Sequence, residues 1–462
     1  MSSKVANLLI IGGSDAGISA ALRAREVDPT LIVTVVVADA FPNYSICGLP
    51  FYISGETPDW RSLAHRTQDE IEGEGIRLLL DHTAQAIHPD SKTVEVENAA
   101  GQVQAISYDR LVIATGAAPI RPPIAGLDLP GVYQLHTMED SFRIHEHVTE
   151  RHPKSVLIVG GGYIGLEMAD ALRHRGMQVS LVEMAETVLP VTVDAELGRV
   201  VADELRRHDV EVILQVAIDS IHPAESGLAV SGSQGLHRTV DLVLVVVGVR
   251  PNSELALTAG IQTGERGAIR VNRRMETSAP AIYAAGDCVE TWHRVTNQNT
   301  YLPLGTTAHK QGRIAGENVA GGRREFAGSL GTQVVKVFDL AIARTGLREM
   351  EAIEAGFQPI STTCKAWDHK AYYPGAQEIL IRIIGDRQSG RLLGAQMLGH
   401  WQSEISKRID IFATALFHEM KVEELSNLDL SYTPPLGSPW DAVQMSAQAW
   451  VKARESTSEE YR

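Results

Sequence analysis

Cysteine is scarce in this chain of 462 residues. The three cysteines, Cys47, Cys288 and Cys364, are too few and too widely spaced to form a disulfide framework. No Cys-x-x-Cys pair occurs, and the 16 histidines show no ligand spacing, so the sequence predicts no metal site. This sparing use of cysteine is typical of a protein in a reducing compartment, and we expect a cytoplasmic location.

Excess positive charge and long apolar runs are also missing. The formal net charge of −15 disfavours nucleic acid or an anionic membrane as the main partner. No apolar run reaches the roughly 18–20 residues that cross a bilayer. The N-terminus lacks the charged start, apolar core and cleavage site of a signal peptide. The length predicts two to four domains.

A glycine-rich turn follows the first predicted strand, residues 5–11. Gly12-Gly13-Ser14-Asp15-Ala16-Gly17 then leads into a helical pattern, which is the context of a dinucleotide-binding turn. Ser14 replaces the middle glycine, and Val37 stands where a ribose-binding acid is expected, so Asp39 is the nearest acid. A purely structural tight turn is the alternative. The predicted contacts of this unit are Gly12, Gly13, Ser14, Ala16, Gly17 and Asp39.

A second strand–glycine–helix unit begins at residue 155. It carries the complete motif Gly160-Gly161-Gly162-Tyr163-Ile164-Gly165, and the next strand ends in Glu183, about 20 residues on, where an acid binds the ribose. No Arg or Lys follows within the next few residues to hold a 2′-phosphate, which favours NADH over NADPH. The predicted contacts are Gly160, Gly162, Tyr163, Ile164, Gly165, Glu183 and, farther along the chain, Gly248.

Two further strands end in small or polar residues. One runs into Thr115-Gly116, which predicts a close approach of the backbone to a cofactor. The other ends in Gly286-Asp287, where the carboxylate is predicted to bind a ribityl hydroxyl and the neighbouring amide a phosphate. An ordinary strand end and an Asp helix cap are the alternatives.

Cys47 lies just beyond a predicted strand at 31–38 and just before Pro50, a residue suited to a first helical turn. A thiol at that point faces free N–H groups and the positive end of the helix dipole, which favour the reactive thiolate. The alternative is an inert, buried cysteine. Cys288 and Cys364 have no motif around them and are interpreted as structural.

These residues, in this order, resemble the two-dinucleotide-fold flavoprotein disulfide reductases. Ala114-Thr115-Gly116, Gly248-Val249-Arg250-Pro251 and Ala285-Gly286-Asp287 carry the resemblance, which covers about residues 5–445. It implies an α/β fold with two three-layer Rossmann-like domains and an α+β dimerisation domain. The implied boundaries are 1–120 and 250–328 for the FAD domain, 121–249 for the NAD(P)H domain and 329–447 for the dimerisation domain. The polar segment 448–462 is predicted to be a disordered tail.

The segment around Cys47 is similar to the single-cysteine branch of that family, the coenzyme A disulfide reductases, NADH oxidases and NADH peroxidases. The resemblance implies FAD and NADH as cofactors, a homodimer, and Tyr373 (or Tyr372) and Tyr432 reaching the partner subunit's cysteine. Asp15 stands where the peroxidases have a histidine, which counts against that activity.

The implied reaction passes electrons from NADH through FAD and Cys47 to a disulfide or persulfide such as coenzyme A disulfide. An NADH oxidase that reduces oxygen through a Cys47 sulfenate, or a reductase that feeds a protein partner, is the alternative. Coenzyme A is anionic, so basic residues near Cys47 are candidate phosphate contacts, chosen for charge and location alone. They are Arg23, Arg61, His65 and Arg66.

Overall fold

The computed structural model describes residues 6–264 and 266–459. Its first quarter alternates strands and helices, and 3₁₀ turns at Ile46–Gly48 and Trp60–Leu63 flank the second helix. The elements are β1 (Asn7–Ile11), α1 (Asp15–Val27), β2 (Ile32–Val36), α2 (Leu49–Ser54), α3 (Gln68–Gly73), β3 (Ile76–Leu79), β4 (His82–His88), β5 (Thr93–Asn98), β6 (Val103–Ser107), β7 (Arg110–Ile113) and β8 (Ala117–Pro119).

A second alternating unit follows and then leads back toward the first. Its elements are β9 (Val132–Tyr133), α4 (Met138–Arg151), β10 (Ser155–Val159), α5 (Tyr163–His174), β11 (Gln178–Glu183), α6 (Ala195–Arg207), β12 (Val210–Leu214), β13 (Ile218–Pro223), β14 (Leu228–Gly232), β15 (Leu236–Val240), β16 (Leu242–Val245), β17 (Val249–Pro251), α7 (Glu254–Thr258), β18 (Ile282–Ala284), β19 (Thr291–His293), β20 (Gln298–Thr300) and α8 (Gly305–Val319).

The last part of the chain has long antiparallel strands followed by helices. Its elements are β21 (Gln333–Val337), β22 (Leu340–Gly346), α9 (Glu349–Glu354), β23 (Pro359–Trp367), β24 (Glu378–Asp386), β25 (Leu392–His400), α10 (Ile405–Phe417), α11 (Val422–Leu425) and α12 (Ala442–Glu459).

Two parallel five-stranded sheets form the centres of the first two units. The first has the order β18-β7-β1-β2-β3 and the second the order β12-β11-β10-β16-β9. The first sheet lies between the helices α1 and α8 and the antiparallel meander β4-β5-β6, whose apolar side chains share its core. Since β18 completes this sheet after the second unit has been built, the chain leaves the first unit and returns to it. The predicted α/β class with three-layer nucleotide-binding units is confirmed.

The third unit is an antiparallel sheet of order β21-β22-β25-β24-β23 covered by α10 and α12. It matches the predicted α+β domain. Among the described residues, no helix combines the length and apolar character that a membrane crossing requires.

The prediction of a disordered tail from residue 448 is wrong for the described part of that segment. Residues 448–459 continue helix α12, and Trp450 within it is completely buried. Its indole Nε1 donates a hydrogen bond of 2.7 Å to the carbonyl oxygen of Ile360. Gly385 makes room for the ring, because a Cβ there would lie 2.5 Å from it. The polar composition of residues 448–459 was misleading because Trp450 anchors them, as a continuation of a helix whose first residues, Ala442 and Val443, are also buried.

Candidate functional site

The three site segments of the first unit meet at one edge of its sheet. Gly12, Thr115 and Gly286 each follow the carboxyl end of β1, β7 or β18, which are neighbouring parallel strands. A ligand site is expected at that edge of a parallel sheet, and the structure therefore brings together residues that lie more than 270 positions apart.

The first turn requires glycine at two positions because other backbone segments pass too close to leave room for a side chain. A Cβ on Gly12 would lie 2.0 Å from the carbonyl oxygen of Ala114, and one on Gly17 would lie 1.9 Å from the carbonyl oxygen of Gly12. Helix α8 packs equally close to α1, since a Cβ on Gly312 would lie 2.3 Å from the carbonyl oxygen of Ala16. No side chain caps the N-terminus of α1, so its free N–H groups remain available to a phosphate.

The second turn repeats this geometry. A Cβ on Gly160 would lie 2.5 Å from the carbonyl oxygen of Val246, and one on Gly165 would lie 2.0 Å from that of Gly160. The Glu183 carboxylate accepts hydrogen bonds from the N–H groups of Gly161 (2.7 Å) and Ala185 (2.8 Å). It is thus held at the turn in one orientation, as a ribose ligand needs to be.

The strand registers show which residue of the first unit matches Glu183. Val36 pairs with Ile11 as Val182 pairs with Val159, so Val37 is the counterpart of Glu183. Its side chain fills the space beside Gly13, where a Cβ would lie 2.5 Å away. Asp39 lies two residues farther on, accepts a hydrogen bond from the Phe41 N–H, and has a pKa raised by burial. Its role as a ribose ligand stays a prediction.

The two links between the nucleotide-binding units are tied together. Strands β8 and β17 pair antiparallel, and the Thr115 hydroxyl donates a 2.6 Å hydrogen bond to the carbonyl oxygen of Asn252. The Asn252 side-chain amide donates in return to the carbonyl oxygen of Thr115 at 3.0 Å. Gly116 and Gly248 have φ values of +68° and +110° in this region, a conformation that favours glycine.

Cys47 is the exposed cysteine among the three, in the 3₁₀ turn directly before α2, and Pro50 lies in the first turn of that helix as predicted. The expectation of a lowered thiol pKa is wrong for this arrangement. Desolvation by the surrounding protein atoms raises the pKa of Cys47, and the carboxylates of Glu167, Asp15 and Asp287 raise it further. Helix α2 has only six residues, so its dipole is short and does not outweigh these charges.

The Cys47 segment joins the two nucleotide-binding units. The N–H of Asn43 donates a 2.7 Å hydrogen bond to the carbonyl oxygen of Gly13 in the first turn. Leu49 and Ile53 of α2 are fully buried in the apolar core of the second unit. The thiol is therefore placed between the two glycine turns.

Glu167 is a site residue that the sequence reasoning missed. It lies in the first half of α5, two residues beyond the glycine motif, and its charge acts on the Cys47 thiol. Burial, with a contribution from Asp170, raises its pKa to about 7. An acid just after the last glycine is the one signal for it in the sequence, but only the fold shows that it faces a residue 120 positions away.

Two titratable side chains, Asp287 and Cys288, follow β18 in the first unit, and burial raises the pKa of both. Burial, with a contribution from Asp15, raises the pKa of Asp287 to about 6. Cys288 is completely buried, its thiol lies 3.4 Å from the carbonyl oxygen of Ala285, and burial raises its pKa to about 11. These properties agree with a structural role for Cys288.

The predicted substrate-facing tyrosines lie together in the third unit. Tyr373 and Tyr432 are exposed, and the hydroxyls of Tyr432 and Tyr372 interact, which contributes to a raised pKa of Tyr432 after desolvation. The N–H of Lys370 donates to the carbonyl oxygen of Pro434, which holds the two loops side by side. No hydrogen bond among the described residues joins these tyrosines to Cys47 of the same chain.

The candidate phosphate contacts differ in their surroundings. Arg23 is mostly buried and paired with Glu317 at 2.7 Å and Glu26 at 2.8 Å. Arg61 and Arg66 are exposed, and the Arg61 guanidinium lies 4.7 Å from the centre of the Trp60 ring. Arg61 also pairs with Asp59 at 3.3 Å, but both side chains of that pair are exposed, so it is weaker than the pairing of Arg23 and leaves the two exposed arginines freer to meet an anion.

Comparison with known proteins agrees with this geometry. Residues 6–312 match the pyridine nucleotide-disulphide oxidoreductase family, and residues 332–442 match the dimerisation domain of that family. An NAD(P)H sulfur oxidoreductase (CoA-dependent) of Pyrococcus abyssi is 36% identical over 96% of this chain and 97% of its own length. An NADH oxidase of Methanocaldococcus jannaschii is 35% identical over 96% of this chain and 98% of its own length. The structure of an NAD-dependent persulfide reductase from A. fulgidus is 37% identical, with a TM-score of 0.94 over 97% of this chain and 84% of that one.

Proposed function

The chain belongs to the pyridine nucleotide-disulphide oxidoreductase family, and from that premise we propose that it reduces a disulfide or persulfide of the coenzyme A type with electrons from NADH, using Cys47 as its reactive thiol. One NADH and one proton reduce one disulfide to two thiols and leave NAD⁺. The family implies FAD and a pyridine nucleotide as cofactors, and both glycine turns fit a dinucleotide. When bound, FAD supplies the two-electron transfer between nicotinamide and sulfur.

A single observation carries the proposal: one exposed thiol lies between two dinucleotide turns. Cys47 is anchored to the first turn through Asn43 and to the second unit through α2. As a thiolate it attacks one sulfur of the substrate, forms a mixed disulfide and releases the first thiol. The Glu167 carboxyl, whose pKa burial raises to about 7, carries a proton in about half of the molecules at neutral pH and is proposed to supply it near this thiol.

NADH rather than NADPH is the proposed donor. The oriented Glu183 carboxylate binds a ribose diol well and repels a 2′-phosphate. Met184, the next residue, is 74% exposed and uncharged, so it offers no cation to that phosphate.

The proposed active unit is a homodimer, located in the cytoplasm as the cysteine usage predicts. The matched dimerisation domain supports two subunits. Exposed aromatic side chains lie on the third unit, and Tyr373 and Tyr432 among them are proposed to reach Cys47 of the partner subunit, where they protonate the leaving thiolate or orient the substrate. Arg61 and Arg66 are the better candidates for the phosphates of the substrate, and Arg23 would first have to leave Glu317.

The test is an anaerobic titration of the flavin-loaded protein with NADH, followed by absorbance. After mild peroxide treatment, the wild type is expected to take up about two NADH per flavin and Cys47→Ser about one, because an oxidised Cys47 accepts one further pair of electrons. Cys364→Ser, which removes a cysteine outside this site, is the matched control and should behave as wild type. Equal uptake by the wild type and Cys47→Ser would refute the proposal and favour a reductase that feeds a protein partner.

Oxygen reduction is a second candidate, which the similarity to the M. jannaschii NADH oxidase favours. Cys47 would then pass through a sulfenate. Turnover with coenzyme A disulfide under anaerobic conditions, compared with NADH consumption in oxygen alone, distinguishes the two. Faster turnover in oxygen alone would favour the oxidase.

A further inference from the structure

Three potential metal ligands from distant parts of the chain meet beside the first glycine turn. They are Asp15 in the first turn of α1, His65 in the loop after α2, and His309 in the first turns of α8. The His309 Nε2 lies 3.3 Å and the His65 Nε2 lies 4.0 Å from Oδ1 of Asp15. All three ligand atoms lie within 4.8 Å of one another. The spacing of these residues in the sequence gave no sign of this group.

The Asp15 oxygen at the centre of the group lacks a hydrogen-bond donor. Oδ1 of Asp15 is buried, yet no hydrogen bond to it is formed among the described residues. The Nδ1 of His309 lies 3.0 Å from the Ser19 hydroxyl. If Nδ1 carries the proton and donates it to Ser19, then the Nε2 lone pair faces the carboxylate with no proton between them. Metal-binding histidines are held in this way by a partner on the other ring nitrogen.

From this arrangement we propose that Asp15, His65 and His309 form a binding site for a divalent transition-metal ion of the zinc type. Four ligands at about 2.0–2.1 Å in a tetrahedron lie about 3.3 Å apart. The Asp15–His309 pair already has that separation, and His65 must approach Asp15 by about 0.7 Å to reach it. The two imidazole nitrogens, within 4.8 Å of each other, must close by at most about 1.5 Å. Two imidazoles and one carboxylate leave the fourth position open to water or an exchangeable ligand.

A second group of potential ligands shows what a satisfied cluster looks like. Glu204, His208 and Asp339 also lie within 4.8 Å of one another. There, however, both Glu204 oxygens have donors: one pairs with Arg207, and the other accepts from the N–H of Asp339 at 3.3 Å and lies 3.1 Å from Nε2 of His208. His208 also stacks on Phe338, with 4.2 Å between ring centres. This group joins two units of the fold and does not need a cation.

A bound ion would act on the segment that carries Cys47. The N–H of His65 donates a 2.9 Å hydrogen bond to the carbonyl oxygen of Asn43, so His65 belongs to the same folded loop as Cys47. Coordination would tie this loop to α1 and α8, two helices that already pack closely together. The proposed site is thus a metal-dependent clamp beside the reactive thiol, and it adds to the proposed reductase function without depending on it.

The test is a titration of chelator-treated, flavin-loaded protein with Zn²⁺ by calorimetry and with Co²⁺ by absorbance beyond the flavin band. Cys47→Ser serves as the background for every variant, since it removes the exposed thiol as a competing ligand. One ion per chain is expected, with the intense visible absorbance of tetrahedral Co²⁺ and a rise in melting temperature that grows with metal concentration.

Variants locate the ion. His65→Ala and His309→Gln should each abolish binding at about micromolar metal, and Ser19→Ala should weaken it by about 10- to 100-fold, since it removes the partner that orients His309. His208→Gln, at the satisfied cluster, is the matched control and should bind as the background protein does. Absorbance of the bound flavin shows that each variant is folded. The proposal would be overturned if the background protein bound no metal. It would also be overturned if all variants bound metal equally, because that result would mean adventitious binding only.

Discussion

Neutralising Glu167 is expected to stabilise the protein in a strongly pH-dependent way. Folding raises the pKa of this carboxyl from its ordinary 4.5 to about 7, chiefly through burial. An acid whose pKa rises on folding holds its proton more tightly in the folded state. The unfolded state therefore loses the proton first, and the free energy of unfolding falls as the pH rises from about 4.5 to about 7.

The size of the effect follows from the two pKa values. A difference of about 2.5 units corresponds to about 3 kcal/mol, at about 1.4 kcal/mol per unit. Since Gln cannot ionise, Glu167→Gln should gain about 3 kcal/mol over wild type near pH 8 and only about 1 kcal/mol near pH 5. The same change removes a negative charge that raises the Cys47 pKa, so the thiol should react faster with iodoacetamide near pH 8.

Denaturant unfolding of wild type and Glu167→Gln at the two pH values measures the difference. Glu150→Gln changes an exposed glutamate on α4 and is the matched control. Its free energy of unfolding should stay within about 0.5 kcal/mol of the wild-type value at both pH values. A stability gain for Glu167→Gln of the same size at both pH values would refute the reasoning, because the gain would then not come from ionisation. Unchanged alkylation of Cys47 would show that the two groups are not coupled.

Three further predictions follow from particular contacts. Gly17→Ala should lose bound FAD, since its Cβ would lie 1.9 Å from a backbone oxygen. The control Gly73→Ala, which has open space at its Cβ, should keep FAD. The ratio of flavin to protein absorbance measures the difference. Glu183→Gln should raise the KM for NADH by about 10- to 150-fold, since a hydrogen bond to a charged group contributes about 1.5–3 kcal/mol. An unchanged KM in steady-state assays would exclude a ribose contact. Trp450→Ala should cost about 3–5 kcal/mol in denaturant unfolding, while a loss below about 1 kcal/mol would mean that α12 is dispensable.

Local patterns in the sequence determined the two nucleotide-binding turns. Each unit has a buried strand, a glycine turn and then a helix. At Gly12, Gly17, Gly160 and Gly165 an added Cβ would lie only 1.9 to 2.5 Å from a backbone oxygen, so these positions tolerate no side chain. Their signal is local because the strand, turn and helix are consecutive. The position of Glu183 was equally predictable, since it ends the strand that follows the helix, about 20 residues beyond the glycines. The same position in the first unit holds Val37.

Tertiary structure alone decided the electrostatics around Cys47. The expected thiolate rested on one neighbouring helix end. In the fold, burial raises the Cys47 pKa most, and the carboxylates of Glu167, Asp15 and Asp287, from three other parts of the chain, raise it further. The same holds for the Asp15–His65–His309 group, whose members are brought together by α1, α8 and a loop. Charge–charge interactions depend on distance in space, which the order of residues does not reveal, whereas the steric need for glycine at a turn is contained in the few residues that form it.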